Sequence, residues 1–207
     1  MKKLAGLMVL LILLTGCRRA SGPLDRSLAF RARLLEGSGC CFDARITADY
    51  GQAVHCFSMR CKGDGAGDLA FTVTEPASLA GITGRLRDSG GELTFDAEAL
   101  HFELLTDREL SPVSAPWIFL RTLRSGHITS VCLEQDRLRL SADDSYEDGA
   151  LHLDIRLDPE DTPVNADIYW ENRRILTLEI ENFRILSPSG IKFHDSRNNT
   201  VYALHRV

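Results

Sequence analysis

The stretch Phe42-Asp43-Ala44-Arg45-Ile46-Thr47-Ala48-Asp49 alternates apolar and polar residues without a break. Side chains two apart on a strand share a face, so Phe42, Ala44, Ile46 and Ala48 predict a half-buried strand. Tyr50-Gly51-Gln52 then reads as a turn, and Ala53, His55, Phe57 and Met59 carry the same period onto a return strand. Downstream the pattern recurs in Leu69/Phe71/Val73, Leu93/Phe95, Leu100/Phe102/Leu104, Leu151/Leu153/Ile155/Leu157, Ala166/Ile168/Trp170 and Leu176/Leu178/Ile180. With the shorter runs between them this makes about eleven strands. Gly63-Asp64-Gly65-Ala66-Gly67, Asp88-Ser89-Gly90-Gly91 and Asp143-Asp144-Ser145 are natural loops between them.

Two helices interrupt the strands. Leu24, Leu28, Arg31, Leu34 and Leu35 fall at helical spacing before Gly37 and Gly39 stop the run. Val113 to Ser125 suits a short helix, with Ser114 as a cap, Pro116 near its start, and Trp117, Leu120 and Leu123 on one side.

The alternate strand positions carry Arg85, Arg87, Glu92, Thr94, His152, Asp154, Arg156, Asp167 and Glu179, so one face of the sheet is wet and the other must be covered. Eleven strands about 4.8 Å apart and about 18 Å tall offer on the order of 900 Å² per face. Two helices of about 13 residues cover only about 400 Å² of it. Either the sheet curls on itself or part of its apolar face lines a cavity; both imply a concave apolar interior.

The chain begins with Lys2-Lys3, an apolar run from Leu4 to Leu14, and then Thr15-Gly16-Cys17-Arg18-Arg19. A spanning helix needs about 20 apolar residues, so this run has the form of a secretory signal. Leu14-Thr15-Gly16-Cys17 looks like a bacterial lipobox, with Cys17 as the lipidated residue and new N-terminus. The expected organisation is a signal peptide at 1–16, a lipidated tether at 17–25, the main domain at 26–186 and a C-terminal extension at 187–207. Loss of Lys2 and Lys3 takes the formal charge from −5 to −7. Without a basic footprint, nucleic acid is not an expected partner.

The sequence lacks G-x-S-x-G, H-E-x-x-H, a P-loop and a dinucleotide fingerprint. Its six histidines are scattered singly, and no C-x-x-C or H-x3-H spacing supports a metal. An enzyme, a cofactor and a metal are therefore not expected. In an exported chain disulfides are natural. The turn near Gly51 brings Cys61 opposite or diagonal to Cys40 and Cys41, within bridging reach, and Cys41–Cys61 is the pairing expected. Cys132 is expected to be a buried free thiol on an apolar strand face.

The element order, together with Phe71-Thr72-Val73-Thr74-Glu75-Pro76-Ala77-Ser78-Leu79-Ala80-Gly81-Ile82, Thr162-Pro163, Ile168-Tyr169-Trp170 and Ile175-Leu176-Thr177-Leu178, resembles the LolA/LolB-like lipoprotein-carrier family over roughly residues 26 to 186. The resemblance implies a mainly β fold: a curved antiparallel sheet forming an incomplete, half barrel, lidded by short helices and holding acyl chains. The ligand-lining candidates are Phe71, Val73, Phe95, Phe102, Leu153, Ile155, Ile168 and Trp170 on the sheet, with Trp117 and Leu120 on the lid. The expected function is that of an exported lipoprotein, anchored to the outer face of the cell membrane, that binds lipid or lipoprotein acyl chains. The alternative is a tethered envelope sensor or scaffold that binds a protein partner through the same fold.

Overall fold

In the computed structural model the described residues are 22–95, 98–102, 105–106, 109–147, 149–187, 192–194 and 201–203, with 95–109 and the last two short segments described in backbone only. The signal segment and Cys17 lie outside them. No helix among the described residues is long and apolar enough to cross a membrane.

Helix α1 spans Pro23–Glu36. Pro23 sits in its first turn, the Asp25 carboxylate accepts the Gly22 N–H at 3.0 Å, and Gly37 ends it. Six strands follow: β1 (Gly39–Asp49), β2 (Val54–Asp64), β3 (Leu69–Glu75), β4 (Thr83–Arg87), β5 (Gly90–Phe95) and β6 (Glu98–Phe102). A small ribbon of β7 (Leu105–Thr106) and β8 (Glu109–Leu110) leads through a 3-10 turn, Pro112–Ser114, into α2 (Ala115–Ser125). The Ser114 hydroxyl makes no cap; it donates to the Ser111 carbonyl at 2.6 Å inside that turn. Next come β9 (His127–Glu134), β10 (Arg137–Asp143), β11 (His152–Leu157), β12 (Pro163–Trp170) and the long β13 (Arg173–Leu186). A separate ribbon pairs β14 (Lys192–His194) with β15 (Val201–Ala203).

The eleven long strands form one antiparallel sheet in the order β6-β5-β4-β3-β2-β1-β13-β12-β11-β10-β9. Each half is a meander, and the halves meet where β13 pairs with β1. The edges are β6 and β9, which do not pair with each other, so the sheet stays open. The chain therefore has one long crossing to make, from the β6 edge to the β9 edge, and α2 lies on that crossing.

Inner-face residues from both wings belong to one contiguous core, from Leu86 on β4 to Leu138 and Leu140 on β10. An open sheet of this width, packed with helices over one apolar face, agrees with the expected half barrel. At the β1–β13 join a bulge puts two β13 residues against Phe42. Phe183 stacks on Phe42 with centroids 5.7 Å apart, and Phe119 of α2 meets Phe42 edge-on at the same distance.

Two cysteine expectations are corrected. The β1–β2 register sets Cys61 across from Phe42 and Cys41 across from Lys62, so Cys61 points into the core while Cys41 faces outward, and no bond joins them. All five described cysteines are free. Burial pushes the Cys40 thiol up to about 11 and also raises the Cys61 thiol well above its ordinary value. Cys132 is exposed rather than buried. A register shift between Ser141 and Ala142 inserts an extra residue in β9, so the inward positions become Ile128, Val131 and Leu133, and Cys132 sits opposite Arg139 on the wet face.

Candidate functional site: the lidded interior and the two wings of the outer face

The structure gathers the described interior candidates into one place. Phe71, Val73, Trp117 and Leu120 are buried, and Leu153, Ile155 and Ile168 have no exposed surface. Trp170 is half-buried against the same core. The side chains of Phe95 and Phe102 lie outside the described residues. A residue of zero exposure touches no water-sized void, so the interior at Leu153, Ile155 and Ile168 is filled by the protein's own side chains.

Helix α2 closes this interior, with eight of its eleven residues buried. Its polar ties lie at the rim. The Trp117 indole N–H donates to the Gly67 carbonyl at 3.1 Å, and Arg124 donates to the Gly65 carbonyl at 2.6 Å. Both carbonyls belong to the β2–β3 loop, which Asp64 holds by accepting the N–H groups of Ala66, Gly67 and Asp68. Leu120 rests directly on Gly63, where a Cβ would meet its methyl group and the leucine would have to shift. From α1, Arg31 donates to the carbonyls of Leu123 at 2.8 Å and Thr122 at 3.3 Å, capping the C-terminal end of the lid.

No protein-family model matches the sequence, nor does any curated protein. Solved structures do resemble it. An uncharacterized conserved protein from Thermus thermophilus shares 8% identity over 81% of this chain and 90% of that one, with a TM-score of 0.44. A LolA superfamily protein from Nitrosomonas europaea shares 9% identity over 78% and 94%, with a TM-score of 0.42. The Mycobacterium tuberculosis lipoprotein LppX shares 10% identity over 78% and 92%, with a TM-score of 0.38.

The outer face has two unlike wings, whose pairing the strand pattern alone does not reveal. On β10 to β13 the two buried carboxylates are met internally. Asp154 and Asp167 are each only 4% exposed. Asp154 accepts from Arg139 at 2.7 Å and Ser141 at 2.6 Å; Asp167 accepts from Arg156 at 2.8 Å and Thr177 at 2.9 Å. Burial pushes the Asp154 carboxyl upward, but the hydrogen bonds from Arg139 and Ser141 outweigh it and hold the group below the ordinary carboxylate range. Arg139 and Arg156 are held more firmly protonated by the same contacts.

On β2 to β5 the outer face forms a shallow groove of about 610 Å³ lined by Arg60, Lys62, Arg85, Arg87, Glu92 and a row of threonines. Here the pairings are loose or missing: Arg60 lies 3.6 Å from Asp43 and Arg87 lies 3.3 Å from Asp68. Among the described residues Lys62 and Arg85 have no ion pair, although Arg85 stands across the strands from Glu92. Cation density of this kind is legible in sequence only once register aligns Lys62, Ala70, Arg85 and Glu92 in one row. No group of three or more metal-ligating side chains occurs among the described residues.

Proposed function

We propose that this chain is an exported, lipid-anchored binding protein that holds an acyl chain between its sheet and α2. The observation that carries the reading is the lid: a helix laid over an apolar face by the long crossing, tied at its rim to the β2–β3 loop and to Arg31, with a loose pair of Arg121 and Asp88 at 3.7 Å. The leader ending at Cys17 supports export and anchoring at the membrane, with 1–16 removed and 17–25 as tether. In the closed state the protein's own side chains fill the interior, so an acyl chain enters as α2 lifts and takes the place of Trp117 and Leu120 against Phe71, Val73, Phe95, Phe102, Leu153, Ile155, Ile168 and Trp170.

The magnitudes permit such an exchange. Exposing the five large apolar side chains of α2 costs on the order of 10 kcal/mol. Burying a chain of about sixteen carbons returns about 0.8 kcal/mol per methylene, a similar total. Exchange is then close to balanced, which suits a protein that takes up and gives up its ligand. No bond-making step is involved, and the reading is non-enzymatic.

The test is native mass spectrometry of the full chain released from membranes in mild uncharged detergent. A mass increment of one acyl-bearing lipid beyond the covalent anchor is expected; a clean mass, with no increment after incubation with palmitate, counts against the reading. A second reading is favoured by the zero exposure of Leu153, Ile155 and Ile168: the interior is only a scaffold, and the protein binds a protein partner through its outer face. In-membrane crosslinking that traps one stoichiometric partner, together with a clean native mass, selects this alternative.

A further inference from the structure

We propose that the groove on the outer face of β2 to β5 is a binding site for a phosphate-bearing anion, held by Lys62, Arg85 and Arg87 with Arg60 at its far side. This site is separate from the interior and stands whatever the interior holds.

Four cations converge on a chain whose formal charge is −5, with Glu92 as the one carboxylate among the groove-lining residues. Such a concentration against the prevailing charge calls for an anion. The floor is built for access. Ala70 stands between Lys62 and Arg85 in one row across the sheet, and Thr72 stands between Arg60 and Thr83 in the next. Strands two apart are about 10 Å apart, so Lys62 and Arg85 flank a short side chain at a separation that their flexible arms can close around a phosphate. Arg85 and Arg87, two apart on β4, add a second guanidinium on the same face, and guanidinium groups offer forked donors matched to phosphate oxygens. Thr72, Thr83 and Thr94 line the groove and bring hydroxyls as further donors.

The cations are available. Arg139 and Arg156 on the other wing give their hydrogen bonds to buried carboxylates at 2.7 and 2.8 Å. Among the described residues the groove cations make no contact of that quality with a carboxylate; their nearest partners there, Asp43 and Asp68, lie at 3.6 and 3.3 Å. The groove also ends at the β2–β3 loop that seats the lid, since Arg87 pairs with Asp68 at the end of that loop.

The chemistry is shared by an anionic lipid headgroup and by free phosphate, and the experiment separates them. The chain has four lysines, Lys2, Lys3, Lys62 and Lys192, so amine acetylation read by mass spectrometry reports on Lys62 with Lys192 as internal reference. The full chain in uncharged detergent is titrated with inorganic phosphate in one arm and with phosphatidylglycerol-doped micelles in the other. Selective, saturable protection of Lys62 is expected. Protection in both arms assigns free phosphate as sufficient, and protection by phosphatidylglycerol alone assigns the lipid headgroup; either supports the site. Each of Arg85→Gln and Arg87→Gln should weaken binding about fivefold, and Arg85→Lys by less. Arg137→Gln, which removes an exposed cation at the start of β10 on the other wing, should leave the affinity unchanged. Unfolding midpoints of all variants confirm that they are folded. No protection in either arm, or an affinity that falls equally in Arg137→Gln, overturns the proposal.

Discussion

The two wings of the outer face are written in the same alternating pattern, yet they use their charges in opposite ways. On β10 to β13 two aspartates are buried to 4% exposure, and each draws an arginine and a hydroxyl onto itself. A desolvated carboxylate is tolerated only when its partners are fixed, so that wing is committed to holding itself together. On β2 to β5 the cations stay exposed and the pairings of Arg60 and Arg87 with Asp43 and Asp68 are loose, which suits the anion proposed for this groove. The difference teaches that burial of the acidic partner, rather than the number of arginines, decides whether a charged strand face stabilises the fold or is left for recognition.

The sharpest way to break this comparison is to remove one acidic partner from the committed wing. Asp167→Ala takes away the carboxylate that Arg156 and Thr177 share, leaving Arg156 its bond to Asn165, and a loss of about 3 kcal/mol is expected from urea unfolding. The double change Arg85→Gln with Arg87→Gln on the other wing should cost less than about 0.5 kcal/mol. Equal losses would erase the distinction.

A smaller effect follows from acid. The Asp154 carboxyl is depressed in the folded chain, so its contribution is fully present above the unfolded carboxylate value, about 3.9, and is lost as pH falls through the folded value. Urea titrations below pH 4 should therefore show a shallower decline for Asp154→Asn than for the parent chain, and parallel curves would remove Asp154 from the account.

The smallest effect leaves stability untouched and reads the faces directly. Exposed Cys56 and Cys132 should react with a thiol reagent in the native chain, while Cys40 and Cys61 stay protected until urea unfolds it. Protection of Cys132 would restore the unbulged register for β9.

Much of this architecture is legible in the chain. The period of two from Phe42 onward, the breaks at Gly37 and Tyr50-Gly51-Gln52, and the helix after Pro112 all appear where local chemistry says they should. What the pattern missed came from bulges and from pairing at a distance. One extra residue in β9 turned Cys132 outward, and the register of β1 against β2 separated Cys41 from Cys61. Non-glycine turns at Gln135-Asp136 and Glu171-Asn172, all at positive φ, lack the Asn-Gly or Asp-Gly signature that marks such hairpins in a sequence. The outer-face groove escaped because Lys62, Arg85 and Glu92 are neighbours only after three strand registers are known. The rim ties of the lid, from Trp117 and Arg124 to backbone carbonyls, leave no trace in a residue pattern at all.

The lid is where the proposed function stands or falls, and the kinetics of acyl uptake test it most directly. A fluorescent acyl probe is mixed with the full chain and with Trp117→Phe, which keeps the apolar ring and loses the indole hydrogen bond to Gly67. The account predicts saturable uptake of about one probe per chain, displaced by palmitate, with faster entry in Trp117→Phe as one rim tie worth about 1 kcal/mol is cut. No saturable uptake by either chain would contradict it and leave the interior as a packed core.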